Sequence, residues 1–348
     1  MTIALSTRET RRTPLIDNFG RRVLSMRISL LDRCDLRCTY CMPASGLRFR
    51  SLKEGLQVED WLCLSQVLMD MGIHHLRLTG GEPLLYPDLL GLVRGMKALG
   101  IPDLALTTNG TRLAPIAKSL KEAGLDRLNI SLDSLDAQRF AAITRRDRFH
   151  HVWAGVEAAL DAGLRPVRIN VLLLAGVSLR EWAEELDRWV AVVRTRPLEV
   201  RFLEQMPIGP MATCASSEQP IESGPAPSPI PALIARLENG HNARPAFRGV
   251  GNGPATYYEA PHWLGRIGVI RPLSEPYCGE CSRFRITAIG DLRPCLSQEL
   301  SIPLRAAVQA RNPRAIEAGL REAAARKSFG HAWNEGIHTP TPMSTLGG

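Results

Sequence analysis

The stretch HHLRLTGGEPLLYPDLLGLVRGMKALGIPDLALTTNG, residues 74–110, contains one complete unit of the fold. A short β-prone run ends in a glycine-bearing loop, an amphipathic run follows and stops at ALGI, and a second β-prone run opens at once. Glycine at that stop most easily takes the left-handed conformation that closes a helix. The same order recurs on both sides. Strands are expected at Arg27–Leu31, Leu76–Thr79, Leu104–Thr107, Leu128–Ser131, Val167–Leu172 and Val200–Leu203. Helices are expected at Trp61–Met71, Ile116–Ala123, Val152–Ala162 and Leu179–Val193, with MGI, EAGL and DAGL marking helix ends. Six units at near-uniform spacing predict an α/β fold, a partial TIM-like (β/α)6 barrel, in preference to a doubly wound open sheet. Six strands fall short of the eight that close a barrel.

On this reading the chain divides into an N-terminal arm (1–25), a barrel core (26–213), a Ser/Pro-rich connector, CASSEQPIESGPAPSPIP (214–231), and a C-terminal extension (232–348). The extension carries the hairpin-like RFRITAIGDLRPCL, a helical segment near Ile302–Ala325, and a polar tail ending Gly347-Gly348. With 348 residues, 45% hydrophobic and 22% charged, the composition is globular and excludes overall disorder. The first residues hold no apolar stretch of signal-peptide length. The most apolar run, INVLLLAGV, is far shorter than the roughly 18 residues of a membrane span. A cytoplasmic protein with no membrane partner is expected. A net charge of +8 favours an anionic partner without choosing one, and no block of five like charges marks a nucleic-acid-binding tail.

Polar loops gather at the carboxyl ends of the expected strands: Thr79-Gly80-Gly81-Glu82-Pro83, Thr107-Thr108-Asn109-Gly110, Ser131-Leu132-Asp133 and Glu204-Gln205-Met206-Pro207. Barrels keep their active sites there. Each loop alone reads equally as turn chemistry; four at equivalent positions point to a shared site.

Six of the eight cysteines form two triplets, Cys34/Cys38/Cys41 and Cys278/Cys281/Cys295. Such clusters read as metal-binding rather than as a disulfide framework. Cys63 sits in an apolar helical pattern and reads as core; Cys214 opens the connector. The first triplet follows the first strand with x3 and x2 spacing, so one loop can wrap three thiolates round an inorganic core. Three ligands on a four-iron cluster leave one iron open for catalysis. Structural zinc is the alternative, and the spacing with no nearby fourth ligand fits it poorly.

The CxxxCxxC pattern, with Tyr40 before its last cysteine and the GGEP loop downstream, resembles the radical S-adenosylmethionine superfamily. The resemblance implies a [4Fe-4S] cluster on Cys34, Cys38 and Cys41 whose open iron binds S-adenosylmethionine and yields a 5′-deoxyadenosyl radical. By the same resemblance Gly80, Gly81, Glu82 and Pro83 hold the methionine end, Ser131 and Met206 line the cofactor, and Tyr40 approaches the adenine.

The second triplet, Cys278-x2-Cys281-x13-Cys295, reads as another three-cysteine cluster, or as zinc with His262 or His331 outside ribbon spacing. The pair of triplets, with DNFGRRVLSMRISLLDRCDLRCTYCMP, RLTGGEPLL, LALTTNG, LNISLDS, RFLEQMPIG, CGECSRFRIT and the Gly-Gly end, resembles the GTP 3′,8-cyclase family over essentially the whole chain. This implies a lyase of molybdenum cofactor biosynthesis with a second [4Fe-4S] cluster that anchors guanine. It implies GTP contacts from Arg27, Arg77, Thr107, Arg283 and Arg285, and catalytic roles for Arg27, Arg283, Arg285, Gly347 and Gly348. Arg168 stands where the family commonly has Lys, so its substrate contact replaces a point charge with a planar fork. An external electron donor and a downstream cyclic pyranopterin monophosphate synthase follow as partners, and a homodimer is left open. A peptide-maturing radical enzyme and a zinc-bearing nucleic-acid-binding protein are the rival readings. An aromatic content of 5%, without aromatic–basic interleaving, speaks against the latter.

Overall fold

The computed structural model describes residues 14–210, 228–247 and 253–348. Cys214, most of the connector and the start of the arm lie outside the described residues. The six expected strands form as β1 (Ser25–Ser29), β2 (His75–Thr79), β3 (Asp103–Thr108), β4 (Arg127–Ser131), β5 (Val167–Leu173) and β6 (Leu198–Glu204), all parallel and in chain order. Between them run α1 (Val58–Asp70), α2 (Leu89–Ala98), α3 (Ala117–Glu122), α4 (Ala137–Thr144), α5 (Phe149–Asp161) and α6 (Leu179–Thr195). The two-residue period of each strand sorts its side chains. Met26 and Ile28, Leu76 and Leu78, and Leu104 and Leu106 are buried beneath the helices. The alternate positions, Arg27, Arg77 and Thr107 among them, face the barrel interior.

The C-terminal region adds α7 (Ile230–Ala235), β7 (Arg244–Ala246), β8 (Thr256–Glu259), β9 (Arg266–Ile270), β10 (Arg283–Ile286), β11 (Asp291–Arg293), β12 (Ile302–Pro303), α8 (Arg305–Gln309), α9 (Pro313–Ala325) and α10 (Met343–Leu346). Two of these strands extend the barrel sheet: β9 pairs parallel with β6 and β10 pairs parallel with β1. Eight parallel strands result, in the order β10-β1-β2-β3-β4-β5-β6-β9. The sheet stays open because antiparallel partners, β8 on β9 and β11 on β10, occupy the two edges.

The helical segment expected near Ile302–Ala325 is corrected to a short strand and two helices. Arg311 takes φ +49°, Asn312 caps the next helix by accepting from the Ala315 N–H at 3.2 Å, and Pro313 cannot continue a helix from before it. The expected hairpin is present as β10–β11.

The amphipathic α6 covers the sheet with Trp182, Leu186, Trp189, Val190 and Val193, all buried. Trp189→Ala should cost about 3–5 kcal/mol of folding stability through the cavity it leaves. Urea denaturation checks this, and a loss below about 1 kcal/mol would contradict the packing described.

Candidate active site at the barrel mouth

Cys34, Cys38 and Cys41 occupy the loop directly after β1. Arg145, with φ +54° at the end of α4, donates to the carbonyls of Arg37 (3.0 Å) and Met42 (2.9 Å), and the Thr39 N–H donates to the Ile143 carbonyl at 2.9 Å. These contacts fix the loop from outside. Asn109 donates to Cys34 Sγ at 3.7 Å and to Asp35 at 2.7 Å, tying the end of β3 to the triplet. Tyr40 donates to Asp133 at 2.9 Å, and Asp133 also accepts from the Leu172 N–H at 2.9 Å.

Burial pushes the Cys34 thiol up to about 12 and the Cys41 thiol up to about 11, and Cys38 rises well above its ordinary value for the same reason. Glu82 adds to the effect at Cys34 and Asp133 at Cys38. Three buried thiols in such a field become thiolates only against a strongly cationic partner, which an iron core supplies. Among the described residues no three His, Cys, Asp or Glu side chains gather as a single metal ion would need. Three soft ligands from one loop fit a cluster with one open iron.

The GGEP loop packs against the start of the cysteine loop. The Gly81 and Glu82 N–H groups donate to the Leu31 and Arg33 carbonyls at 2.7 and 2.8 Å. A Cβ on Gly80 (φ +136°) would lie 2.3 Å from the Leu31 oxygen, and one on Gly81 would lie 2.2 Å from the Arg33 oxygen. Glycine is therefore required by the neighbouring chain, a packing constraint beyond the turn chemistry and ligand approach read from the sequence. The buried Glu82 carboxylate accepts from Thr108 Oγ1 (2.6 Å), the Asn109 N–H (2.7 Å) and the Leu84 N–H (2.9 Å). Its side chain thus ties the GGEP loop to the end of β3, although burial raises its pKa to about 7. Ser131 ends β4, and Met206 packs with Ile208, Trp333, Leu346 and Met343 beneath the tail.

The second triplet frames β10. Cys278 and Cys281 lie in the turn before it and Cys295 follows β11. His331, one candidate zinc ligand, instead points Nε2 at the Pro272 carbonyl, 2.8 Å away; His262 lines a surface cavity with His241 and Trp263. Burial pushes the Cys281 thiol up, but Arg283 and Lys327 outweigh it and leave its pKa at about 7.

Strand register sets Arg285, Arg27 and Arg77 side by side across β10, β1 and β2. Arg283 lies two residues before Arg285, on the same face, with its guanidinium 5.0 Å from the Tyr277 ring centre. Desolvation and neighbouring arginines depress Arg27 and Arg201 to about 10 and push Arg77 and Arg285 well below their ordinary value. Arg27 and Arg77 make no hydrogen bond or ion pair among the described residues. Arg201 donates to Asn129 Oδ1 at 2.9 Å and Asn170 Oδ1 at 2.6 Å. The buried Thr107 accepts from Asn129 at 3.3 Å. Arg168 differs: its guanidinium meets Glu199 at 2.5 Å, and Glu199 also pairs with Arg266 and accepts from Tyr257 at 3.0 Å. The result is a cationic barrel interior whose positive charges exceed the carboxylates facing them.

The tail reaches this interior. Arg285 donates to the carbonyls of Gly347 and Leu346, and Thr79 donates to the Gly348 carbonyl at 3.2 Å. Gly347 takes φ +78°, and a Cβ there would lie 2.3 Å from Thr79 Cγ2. Sequence reasoning missed Arg21, Arg201 and Lys327. Arg21, paired with Asp17 at 2.6 Å, donates to the Cys278 carbonyl at 2.6 Å and so fastens the arm to the second triplet. Arg201 was signalled by its alternation in VRFLE; for Arg21 and Lys327 no local signal exists.

Because Arg77 stands unpaired among like charges, Arg77→Met should raise the melting temperature of the ligand-free protein by a few degrees, a gain of about 1 kcal/mol. Thermal unfolding checks this; a lower melting temperature would contradict the charge balance described.

Two family models match the chain: the Radical SAM superfamily over residues 28–188 and Molybdenum Cofactor Synthesis C over residues 198–333. A GTP 3′,8-cyclase of Moorella thermoacetica is 38% identical over 334 residues, 95% of this chain and 99% of that protein. One from Pelotomaculum thermopropionicum is 40% identical with the same coverage. Among solved structures, Streptococcus suis SuiB bound to S-adenosylmethionine aligns with a TM-score of 0.55 at 16% identity, over 87% of this chain and 69% of that one. The native anSMEcpe structure with bound AdoMet aligns at 0.56 and 15%, over 90% and 82%. These two likenesses show the fold, a barrel built on a parallel sheet. Matched by sequence over nearly its whole length, the chain belongs to the GTP 3′,8-cyclase family of the radical SAM superfamily.

Proposed function

We propose that the chain converts GTP to (8S)-3′,8-cyclo-7,8-dihydroguanosine 5′-triphosphate in molybdenum cofactor biosynthesis. The observation that carries this reading is the arginine row Arg285–Arg27–Arg77, with Arg27 and Arg77 unpaired among the described residues, lying between the first triplet at the carboxyl end of β1 and the second triplet at the amino end of β10. Loaded with a [4Fe-4S] cluster and S-adenosylmethionine, the first triplet would supply, for one electron from the external donor, a 5′-deoxyadenosyl radical able to remove the ribose 3′ hydrogen; the closed-shell product, with its new bond between ribose C3′ and guanine C8, would require one further electron and a proton.

Cys34, Cys38 and Cys41 hold the cluster that binds S-adenosylmethionine. The loop Gly80–Gly81–Glu82 offers the methionine end its backbone groups, since the Glu82 side chain is already engaged. Ser131 and Met206 line the cofactor, and Tyr40, held by Asp133, flanks the adenine. Cys278, Cys281 and Cys295 hold the second cluster, which anchors guanine. Arg27, Arg77, Arg283 and Arg285 grip the triphosphate and ribose, and Thr107 borders the ribose; guanidinium forks suit phosphate oxygens. In the chain as it stands Arg168 is engaged by Glu199, so its substrate contact requires leaving that pair or reaching past it. Gly347 and Gly348 reach the same interior, Gly347 held by Arg285 and Gly348 by Thr79, and so couple substrate binding to the tail.

The protein's work is positioning: a reactive radical must meet one hydrogen in a cavity that excludes water. No helix among the described residues is long and apolar enough to cross a membrane. A cytoplasmic setting, an external electron donor and transfer of the product to cyclic pyranopterin monophosphate synthase complete the reading.

Anaerobic reconstitution with S-adenosylmethionine, a strong reductant and GTP tests it, with mass spectrometry for 5′-deoxyadenosine and a cyclised nucleotide. Both should form only with GTP; 5′-deoxyadenosine without a nucleotide product would refute the substrate. Arg27→Ala should weaken GTP binding about 10- to 100-fold, the loss of a charge-assisted contact worth about 1.5–3 kcal/mol. Calorimetry showing affinity within twofold of wild type would contradict the role given to Arg27.

A further inference from the structure

Lys327 is buried just beyond α9, 3% exposed, and turns its ammonium toward the turn that carries the second triplet. Nζ donates to the Cys281 carbonyl at 3.2 Å, the Arg283 carbonyl at 3.0 Å and Cys281 Sγ at 3.5 Å, and stands 5.3 Å from the Phe284 ring centre. Three donors meet three acceptors, and none of these is a carboxylate. Among the described residues no Asp or Glu pairs with Lys327. An ammonium buried without a counter-charge is costly, and a neutral amide would serve two carbonyls equally well. The surroundings are already cationic: Arg21 donates to the Cys278 carbonyl at 2.6 Å, and Arg283 is held beside Cys281. A lysine at this place is favourable only when the sulfurs beside it carry negative charge, as thiolates on a cluster do.

The first triplet sits in the opposite field. Glu82 and Asp35 bear on Cys34 and Asp133 on Cys38, and the side-chain donor to Cys34 is the neutral Asn109 amide. A positive charge and a donor at a ligand sulfur stabilise the reduced, more negative state of a cluster; nearby carboxylates do the reverse.

We propose that Lys327 is a positioning residue for the second cluster, holding the Cys281 thiolate by a hydrogen bond and setting that cluster's reduction potential above the value it would have without the ammonium. This rests on the reading that Cys278, Cys281 and Cys295 carry that cluster. The consequence is a division of labour. The cluster beside the guanine site accepts and keeps an electron more readily than its environment-free chemistry would allow, while the cofactor-binding cluster stays the stronger reductant.

The test is a redox titration, followed by electron paramagnetic resonance, of the reconstituted full chain: wild type, Lys327→Met, Lys327→Gln and Lys327→Arg. Iron and sulfide are counted in each. The second-cluster signal is identified as the one lost in Cys281→Ala. Lys327→Met should keep about eight irons per chain, as two four-iron clusters require. Its second-cluster midpoint should fall while the first-cluster midpoint stays, and Lys327→Arg should restore most of the shift. An unchanged second-cluster midpoint, or equal shifts at both clusters, overturns the proposal. If Lys327→Met does not fold, as read by circular dichroism, Lys327→Gln, which keeps a donor and loses the charge, is judged by the same criterion. If Cys281→Ala costs the wild-type chain no iron, the second-cluster reading itself has failed, and the proposal falls with it.

Discussion

Like charges crowded inside a β-barrel dominate this structure. Arg27, Arg77, Arg201, Arg283 and Arg285 share an interior in which Glu199 is already divided between Arg168 and Arg266. An ordinary barrel of this class fills its centre with branched apolar side chains. Here the apolar residues of each strand face outward, beneath the helices, and the centre is left to guanidinium groups whose repulsion a bound polyanion relieves. The stability lost to that arrangement is recovered elsewhere, in the core between sheet and helices and in α6 with its two buried tryptophans. Under the proposed function, a polyanionic substrate would therefore be part of the electrostatic balance of the fold, linking its recognition to folding energetics through one set of residues.

The two cysteine triplets come to the two ends of one barrel interior because the C-terminal region returns to the sheet. By pairing β10 with β1, the chain brings Arg285 into register with Arg27 and sets Cys278 and Cys281 at the amino end of the strand whose carboxyl end leads into Cys34. The hairpin β10–β11 then delivers Cys295 while covering the sheet edge, so the barrel remains open and the edge is not exposed to pairing with another chain. The Gly-Gly tail closes the arrangement from the other side, held by Arg285 and Thr79. The arm at Arg21 is fastened to the second triplet and the tail at Gly347 to Arg285, from positions more than 300 residues apart.

Much of this was legible in the sequence, for identifiable reasons. The six strands and the principal helices followed from periodicity and from glycine at helix ends, both local signals. The cysteine spacings and the GGEP loop disclosed the cofactor chemistry because ligand geometry constrains short segments. What escaped was non-local. Nothing in the run RIGVI announces that β9 will lie beside β6, and nothing near Lys327 announces a sulfur 46 residues away in sequence. The helical pattern after Ile302 concealed a break at Asn312-Pro313 that was readable as a cap and a missing donor. Glu82 is expected to serve a ligand, and the tie its side chain makes between two loops was not legible in the sequence.

The central claim is that the barrel presents the ribose of GTP, at its 3′ position, to a cofactor held over the first triplet. Anaerobic turnover with GTP deuterated at C3′, followed by mass spectrometry of the 5′-deoxyadenosine, tests this most directly. The account predicts one deuterium in the 5′-deoxyadenosine and its absence from the cyclised nucleotide; unlabelled 5′-deoxyadenosine beside a nucleotide that retains its deuterium would contradict it.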